Sequence, residues 1–213
     1  MNRREFSATL IATTLGAGAL PLSASGQTPT EGTQYAKIEP PVPPAVQGKI
    51  EVVEFFSYAC PHCAAFEPTL EAWVKKLPAD VAFHRIPVPF LMNSENFMRT
   101  YYALEAMGQV DTVQRKIFNA VHVDRLHLDK PADIAALVGK SGVDSAKFLD
   151  MFNSFSVATN VTRGKKLVAA YKVDSVPLLA VNGRYNTSPS QAGGADQALA
   201  VVDFLIQRAR KGA

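Results

Sequence analysis

The chain is poor in cysteine and carries no large excess of charge, and each shortage excludes a class of protein. Cysteine occurs only at Cys60 and Cys63, so a scaffold held together by several disulfides is excluded and any thiol chemistry belongs to this pair. The 22 basic and 19 acidic residues leave a net charge of +3, which is too small and too scattered to predict a nucleic-acid-binding protein. Hydrophobic residues nevertheless make up 47% of the 213-residue chain, which is enough for a globular core.

Long hydrophobic runs are also scarce. The most apolar segment, residues 8–20, is shorter than the roughly 18 residues expected of a transmembrane helix. It follows Arg3 and Arg4 and precedes small residues at 23–26, which is typical of a secretory signal peptide over residues 1–26. The two arginines are compatible with a Sec signal or a twin-arginine signal, so the export route stays open. Either route predicts a mature protein outside the cytosol, where disulfides persist.

The rest of the chain predicts an α/β fold. A β-branched and aromatic run at 49–57 predicts a buried strand, and apolar residues at helical spacing follow over 61–77. Further strands are predicted over 80–87 and 177–181, and Asn182-Gly183 directly after the last one is typical of a two-residue hairpin turn. Helical spacing over roughly 75 residues separates the early strands from the late ones, and a final helix closes the chain.

These elements divide the sequence into an α/β part and a helical insertion. We expect an extended, proline-rich lead-in at 27–48, with a possible edge strand near 35–38. We expect an α/β domain assembled from 49–92 and 172–213, with an all-helical domain inserted at 93–171.

The motif Cys60-Pro61-His62-Cys63 lies where a predicted strand gives way to a predicted helix. Cys60 is then at the helix N-terminus, where unpaired N–H groups and the helix dipole stabilise a thiolate and lower the thiol pKa. Pro61 suits the first helical position, and a protonated His62 would place positive charge close to the Cys60 sulfur. Cys63, nearly one turn further on, is expected to face inward and to be the less accessible thiol. Because these effects stabilise the reduced pair, they predict an oxidising disulfide. Each 1.4 kcal/mol of such stabilisation raises the reduction potential by about 30 mV.

Three other uses of the two cysteines fit the sequence less well. A zinc site shared with His122 and His127 would need ligands much farther from Cys63 than the roughly 12–15 residues of a zinc finger. Attachment of a c-type haem requires His directly after the second cysteine, and that position is Ala64. A purely structural disulfide across one helical turn would add little stability, because the loop that it closes is very short. We therefore expect thiol–disulfide exchange, with no metal and no cofactor.

Two segments together carry a family resemblance. The first is Val53-Glu54-Phe55-Phe56-Ser57 followed by the Cys60–Cys63 motif, and the second is Ser175-Val176-Pro177 with Val181-Asn182-Gly183. They resemble the DsbA family of bacterial periplasmic thiol oxidases, in which the second segment is a loop with a cis-proline beside the active site. The resemblance covers roughly residues 35–210. It implies a thioredoxin fold, a central mixed sheet flanked by helices, with an inserted all-helical domain.

The resemblance also implies partners and further site residues. It implies a periplasmic enzyme that donates its disulfide to newly exported polypeptides with free cysteines, is reoxidised by a DsbB-like membrane quinone oxidoreductase, and acts as a monomer. Glu54 resembles the family's buried acid that relays protons to the resolving cysteine, with an ordinary edge or paired carboxylate as the alternative. Arg85 is expected to be a solvated arginine at a strand end rather than the partner of Glu54. Val176 and Pro177 are expected to bind extended peptide backbone.

Two other functions stay open at this point. A disulfide reductase or isomerase would use the same motif with the pair reduced at rest, and His62 favours the oxidase over it. A peptide-binding chaperone with incidental cysteines is the second, and replacement of Cys60 by Ser would separate it from an enzyme.

Overall fold

Five strands form one mixed sheet in a computed structural model that describes residues 28–212. In chain order they are β1 (Ala36–Lys37), β2 (Ile50–Phe56), β3 (Val81–Pro87), β4 (Leu178–Val181) and β5 (Tyr185–Thr187). They lie side by side in the order β1-β5-β4-β2-β3, with β3 parallel to β2 and every other pair antiparallel. The predicted mixed sheet is confirmed, and the predicted signal peptide lies outside the described residues.

Eight helices accompany the sheet within residues 28–212. They are α1 (Pro61–Val74), α2 (Ser94–Ala106), α3 (Val110–His122), α4 (Pro131–Lys140), α5 (Ser145–Phe152), α6 (Phe155–Ala170), α7 (Pro189–Ala192) and α8 (Ala195–Arg210). Helices α2–α6 follow one another between β3 and β4, in the segment where the sequence predicts helices. None of the helices in this part of the chain is long and apolar enough to cross a membrane.

Strand β2, which lies between β4 and β3, is buried on both faces of the sheet. Its sequence, IEVVEFF, is mainly β-branched and aromatic, which suits a strand covered on both sides. Both of its glutamates are buried as well, and since successive side chains of a strand alternate between faces, Glu51 and Glu54 lie on opposite faces of the sheet.

Helices cover both faces of β2. On the face of Val52 and Glu54, helices α1 and α8 contribute Leu70 and Leu205 to an apolar cluster. On the face of Glu51, helix α6 contributes Val168 to a second cluster. A third cluster joins both cysteines to apolar residues of the inserted helices α2–α6. The cysteines therefore lie where the sheet meets the inserted helices.

Local signals explain several element boundaries. Asp144 caps α5 as predicted, since its carboxylate accepts from the first N–H groups of that helix. Asn182 and Gly183 both have positive φ, 52° and 64°, as a type I′ hairpin turn requires. Helix α1 ends at Val74 rather than at the predicted Leu77, because the N–H groups of residues 76 and 77 bond three residues back in a tightened last turn.

The short helix α7 is absent from the sequence-based prediction. It buries none of its side chains, so no apolar pattern indicates it. The local signal is Ser188-Pro189, in which the Ser188 hydroxyl accepts from the N–H of Gln191 and Pro189 takes the first helical position.

Candidate active site

Cys60 caps the N-terminus of α1. Its backbone is extended, with φ −92° and ψ 115°, and its sulfur accepts a hydrogen bond from the N–H of Cys63 at 3.3 Å. Pro61 occupies the first helical turn, where a missing N–H removes no intrahelical hydrogen bond. The sulfur thus takes the place of the hydroxyl or carboxylate oxygen that usually caps a helix.

The two sulfurs differ in acidity. Both cysteines are free thiols; Cys60 is 4% exposed and Cys63 is fully buried. The pKa of Cys60 falls from its ordinary 9.0 to about 6, chiefly through a hydrogen bond from the Cys63 thiol, with further help from backbone N–H groups and the charge of His62. Burial raises the pKa of Cys63 far above its ordinary value. At neutral pH Cys60 is therefore the thiolate and Cys63 keeps its proton.

The loop before β4 lies against Cys60. Val176 and Pro177 are joined by a cis peptide bond, and the Cys60 sulfur is 3.4 Å from the carbonyl oxygen of Val176. His62, Phe66 and these two loop residues line a groove of about 330 Å³ beside the sulfur. Ser188-Pro189, at the start of α7, closes the other side of that groove. The sequence analysis missed this last segment, for which its helix-capping signal was the available clue.

A buried ion-pair network lies beneath the cysteines. Arg85 donates from Nε to Glu54 Oε2 at 2.8 Å and from a terminal nitrogen to Glu67 Oε1 at 2.9 Å. Glu54 and Glu67 are 1% and 3% exposed. The expectation of a solvated strand-end Arg85 is therefore wrong. Glu54 and Arg85 are directly opposite one another in the β2–β3 register, on the face that α1 covers, so the arginine cannot reach solvent freely.

Glu67 is a second residue that the sequence analysis missed. It lies four positions after Cys63 on α1, and the buried residues of that helix are Cys63, Phe66, Glu67 and Leu70. A glutamate on the apolar face of a helix was the signal that would have indicated it.

One guanidinium faces two carboxyl groups in this network. Burial raises the pKa of Glu54 to about 8 and also raises that of Glu67. Arg85 lowers both values, but its single charge offsets one carboxylate and not two. Although burial opposes the charge of Arg85, the two carboxylates raise its pKa above the ordinary value. At neutral pH the pair of carboxyls therefore retains a proton. The charge of Cys60 also raises the pKa of Glu54, and the charge of Glu54 raises that of Cys63, so the shared proton and the two thiols are electrostatically linked.

His122, considered above as a zinc ligand, has a different contact. Its Nε2 lies 2.8 Å from the carbonyl oxygen of Tyr58. Between residues 28 and 212 no three His, Cys, Asp or Glu side chains are grouped as a metal site requires.

Comparisons with known proteins identify the family of the chain. The family model of the DSBA-like thioredoxin domain matches residues 51–205. The chain is 42% identical over 186 residues to the thiol:disulfide interchange protein DsbA of Pseudomonas aeruginosa, covering 86% of this chain and 87% of the relative. It is 43% identical over 207 residues to the protein of that name from Bordetella parapertussis, covering 96% and 95%.

Solved structures show the same similarity. The crystal structure of Pseudomonas aeruginosa DsbA superposes with a TM-score of 0.82 at 41% identity, covering 86% of this chain and 95% of that one. The oxidoreductase DsbA from Xylella fastidiosa gives a TM-score of 0.80 at 29% identity, covering 87% and 100%. The resemblance drawn from the sequence is confirmed, and the chain belongs to the DsbA family of thiol:disulfide oxidoreductases with a thioredoxin fold.

Proposed function

We propose that this protein is a thiol oxidase that donates the Cys60–Cys63 disulfide to newly exported polypeptides with free cysteines. The observation that carries the proposal is the pKa of Cys60, lowered to about 6 while that of Cys63 is raised. A thiolate held at low pKa stabilises the reduced pair relative to the disulfide, and a pair with a stabilised reduced form oxidises other thiols.

The first step is attack of a substrate thiolate on the Cys60 sulfur. The Cys60 sulfur contacts Val176, which lines the groove, and Cys60 is 4% exposed whereas Cys63 is fully buried, so the entering sulfur reaches Cys60. The Cys60–Cys63 bond breaks, a mixed disulfide forms at Cys60, and the electron pair stays on Cys63. Cys63 then takes up a proton because its pKa is high. Glu54, whose pKa is about 8, holds a proton at neutral pH and is the group we assign to supply it.

The second step releases the oxidised substrate. A second substrate thiolate attacks the substrate sulfur of the mixed disulfide, and Cys60 departs as a thiolate. Its low pKa makes it a good leaving group. The substrate loses two electrons to form its disulfide, and the cysteine pair gains them as two thiols.

Other site residues have supporting roles in this proposal. Pro61 sets the helix start, and His62 adds positive charge beside the Cys60 sulfur. The carbonyl of Val176 faces that sulfur, and we assign Val176 and Pro177 to hold the substrate backbone in the groove.

The proposed setting is the periplasm. Support comes from the signal-peptide pattern of residues 1–26 and from membership of the DsbA family. The family implies substrate proteins and a reoxidising partner; we propose a DsbB-like membrane quinone oxidoreductase for the latter, and a monomer for the enzyme itself. We also propose that residues 93–171 form the inserted helical domain and that 49–92 and 172–213 form the thioredoxin-like domain.

Oxidative refolding of a reduced, unfolded disulfide protein tests the activity. The oxidised protein should form disulfides in that substrate stoichiometrically, and Cys60→Ser and Cys63→Ala should form none, because neither variant can hold the Cys60–Cys63 disulfide. A Cys60→Ser variant that still suppresses substrate aggregation as well as the wild type, with no disulfide transfer by the wild type, would favour the chaperone. Failure of the oxidised protein to oxidise that substrate, together with reduction or rearrangement of substrate disulfides by the reduced protein, would favour the reductase or isomerase.

A further inference from the structure

Helix α3 holds the residue that leads into the active site. Tyr58 lies two positions before Cys60 and is fully buried. Its hydroxyl donates to Gln114 Oε1 at 2.6 Å, and its backbone carbonyl oxygen is 2.8 Å from His122 Nε2. Both partners belong to α3, so the inserted helices bind Tyr58 at its side chain and at its backbone.

Gln114 also faces the buried carboxyl pair. The residue is 2% exposed, and within residues 28–212 its amide nitrogen, a donor, and Glu67 Oε2, an acceptor, are both buried without a hydrogen-bond partner. Burial raises the pKa of Glu67, and the nearby Gln114 amide opposes that rise. An amide has an acceptor oxygen and two N–H donors, so Gln114 accepts from Tyr58 and still has N–H groups to offer Glu67.

These contacts connect α3 to the space beneath the thiols. Gln114 faces Glu67, Glu67 and Glu54 share Arg85, and Glu54 is electrostatically linked to both cysteines. Since Arg85 offsets one carboxylate, a donor at Glu67 decides which of the two is charged. With the charge on Glu67, Glu54 stays neutral and the Cys60 thiolate has no negative neighbour directly below it.

We propose that Gln114 is a positioning residue for thiol–disulfide exchange: it keeps the negative charge of the buried pair on Glu67, away from the thiols, and so makes the Cys60–Cys63 disulfide more oxidising. Tyr58 orients the amide by donating to its oxygen. The inference rests on exchange at the two cysteines, as in the proposed function, but not on the direction of that exchange.

The test is the redox equilibrium of Gln114→Met with glutathione. Methionine has a similar shape and removes both the hydrogen bond with Tyr58 and the N–H groups available to Glu67. Without the donor, negative charge moves from Glu67 towards Glu54 and the Cys60 thiolate becomes less stable. The equilibrium constant for oxidation of glutathione should fall about threefold to tenfold, which is a shift of about 15 to 30 mV towards a more reducing pair. Tyr58→Phe should shift it in the same direction by less, since the amide loses its orientation but not its donors.

Thr100→Val is the matched control. Thr100 is fully buried on α2, and its hydroxyl donates to the carbonyl oxygen of Asn96 at 2.7 Å, so this variant also loses one buried hydrogen bond. It should lower the unfolding temperature and leave the potential unchanged. A Gln114→Met protein that is destabilised like Thr100→Val but keeps the wild-type potential would overturn the proposal.

The double variant Tyr58→Phe/Gln114→Met covers the case in which Gln114→Met does not fold. It removes the tyrosine hydroxyl that would be buried without a partner, so it should recover stability. It should keep the full Gln114→Met shift, and a wild-type potential in this variant would also overturn the proposal. Because every comparison is made with the wild-type protein, an unexpectedly reducing wild type would contradict the proposed direction of exchange and not this inference.

Discussion

The groove beside α1 and the interior beneath it shift the pKa of a cysteine thiol in opposite directions. Cys60 lies at the helix N-terminus against Val176 of the groove, and hydrogen-bond donors lower its pKa to about 6. Cys63 lies one turn further along the same helix, and burial raises its pKa. Since both residues are cysteines of one helix, their positions and not their residue type cause the difference in acidity. In the proposed function, this difference makes Cys60 the sulfur that is attacked and later leaves, and Cys63 the one that retains its proton.

The same two parts also differ in where ionisable groups lie. The groove beside Cys60 is lined by small, apolar and hydroxyl residues together with His62. The interior holds Glu54, Glu67 and Arg85, although burying charged groups costs free energy unless they are paired. A network that costs stability and adjoins the resolving thiol fits the proton supply that we propose for Glu54 better than it fits structural support. The groove therefore contains the contacts of the reactive Cys60 sulfur, whereas the interior contains the carboxyl that, in the proposed function, supplies a proton to Cys63.

Removing the guanidinium from the interior should have the largest effect. Arg85→Met leaves Glu54 and Glu67 buried without their counter-charge, and the unfolding free energy should fall by about 3–5 kcal/mol at pH 8. The loss should shrink at pH 5, because carboxyls whose folded pKa is raised bind protons and become neutral. Denaturant titrations at both pH values measure this, and a loss independent of pH would contradict the described charge network.

The acidity of Cys60 predicts how pH affects the reduced and oxidised forms differently. The pKa of Cys60 is about 6 in the folded reduced protein and near 9 when unfolded, so between these values the folded state binds fewer protons and its stability rises with pH. The disulfide form has no such group. The unfolding free energy of the reduced form minus that of the oxidised form should therefore increase from pH 6 to pH 9, as measured by parallel denaturation. If this difference in unfolding free energy did not change between pH 6 and pH 9, Cys60 would not be the thiolate.

The two buried glutamates of β2 provide a matched pair of variants. Glu54→Gln keeps the shape of the side chain but holds no proton to transfer, so release of Cys63 at pH 7 should slow about tenfold or more. Glu51→Gln changes an equally buried carboxyl on the opposite face of the sheet, where Glu51 accepts from the N–H of Ala45, and should leave the rate unchanged. Stopped-flow measurement of mixed-disulfide formation compares them. Equal slowing by both variants would mean that burial of charge, and not proton supply, controls the step.

His62 should have the smallest effect of these residues. It is exposed, and its charge is the weakest of the named influences that lower the pKa of Cys60. His62→Ala should make the disulfide less oxidising by about threefold in its equilibrium with glutathione, which is about 15 mV. An effect larger than that of Gln114→Met would mean that the groove side of the helix sets the potential more strongly than the interior does.

The sequence predicted the parts of the site that depend on local signals. A strand, a helix start and the Cys60-Pro61-His62-Cys63 motif are adjacent along the chain, so their spacing already places Cys60 at the helix N-terminus. The Glu54–Arg85 pair depends instead on the register between β2 and β3, which neither strand specifies alone. The contact of Gln114 with Tyr58 spans 56 positions and exists only because α3 packs against the end of β2. Contacts of that kind follow from tertiary packing, which no local pattern encodes.

The reduction potential of the wild-type Cys60–Cys63 pair, measured by equilibration in glutathione buffers, tests the central claim most directly. If the low pKa of Cys60 stabilises the reduced form as described, the potential should lie near or above about −180 mV. A value close to the roughly −270 mV of thioredoxin would contradict the account, because the pair would then accept disulfides rather than donate them.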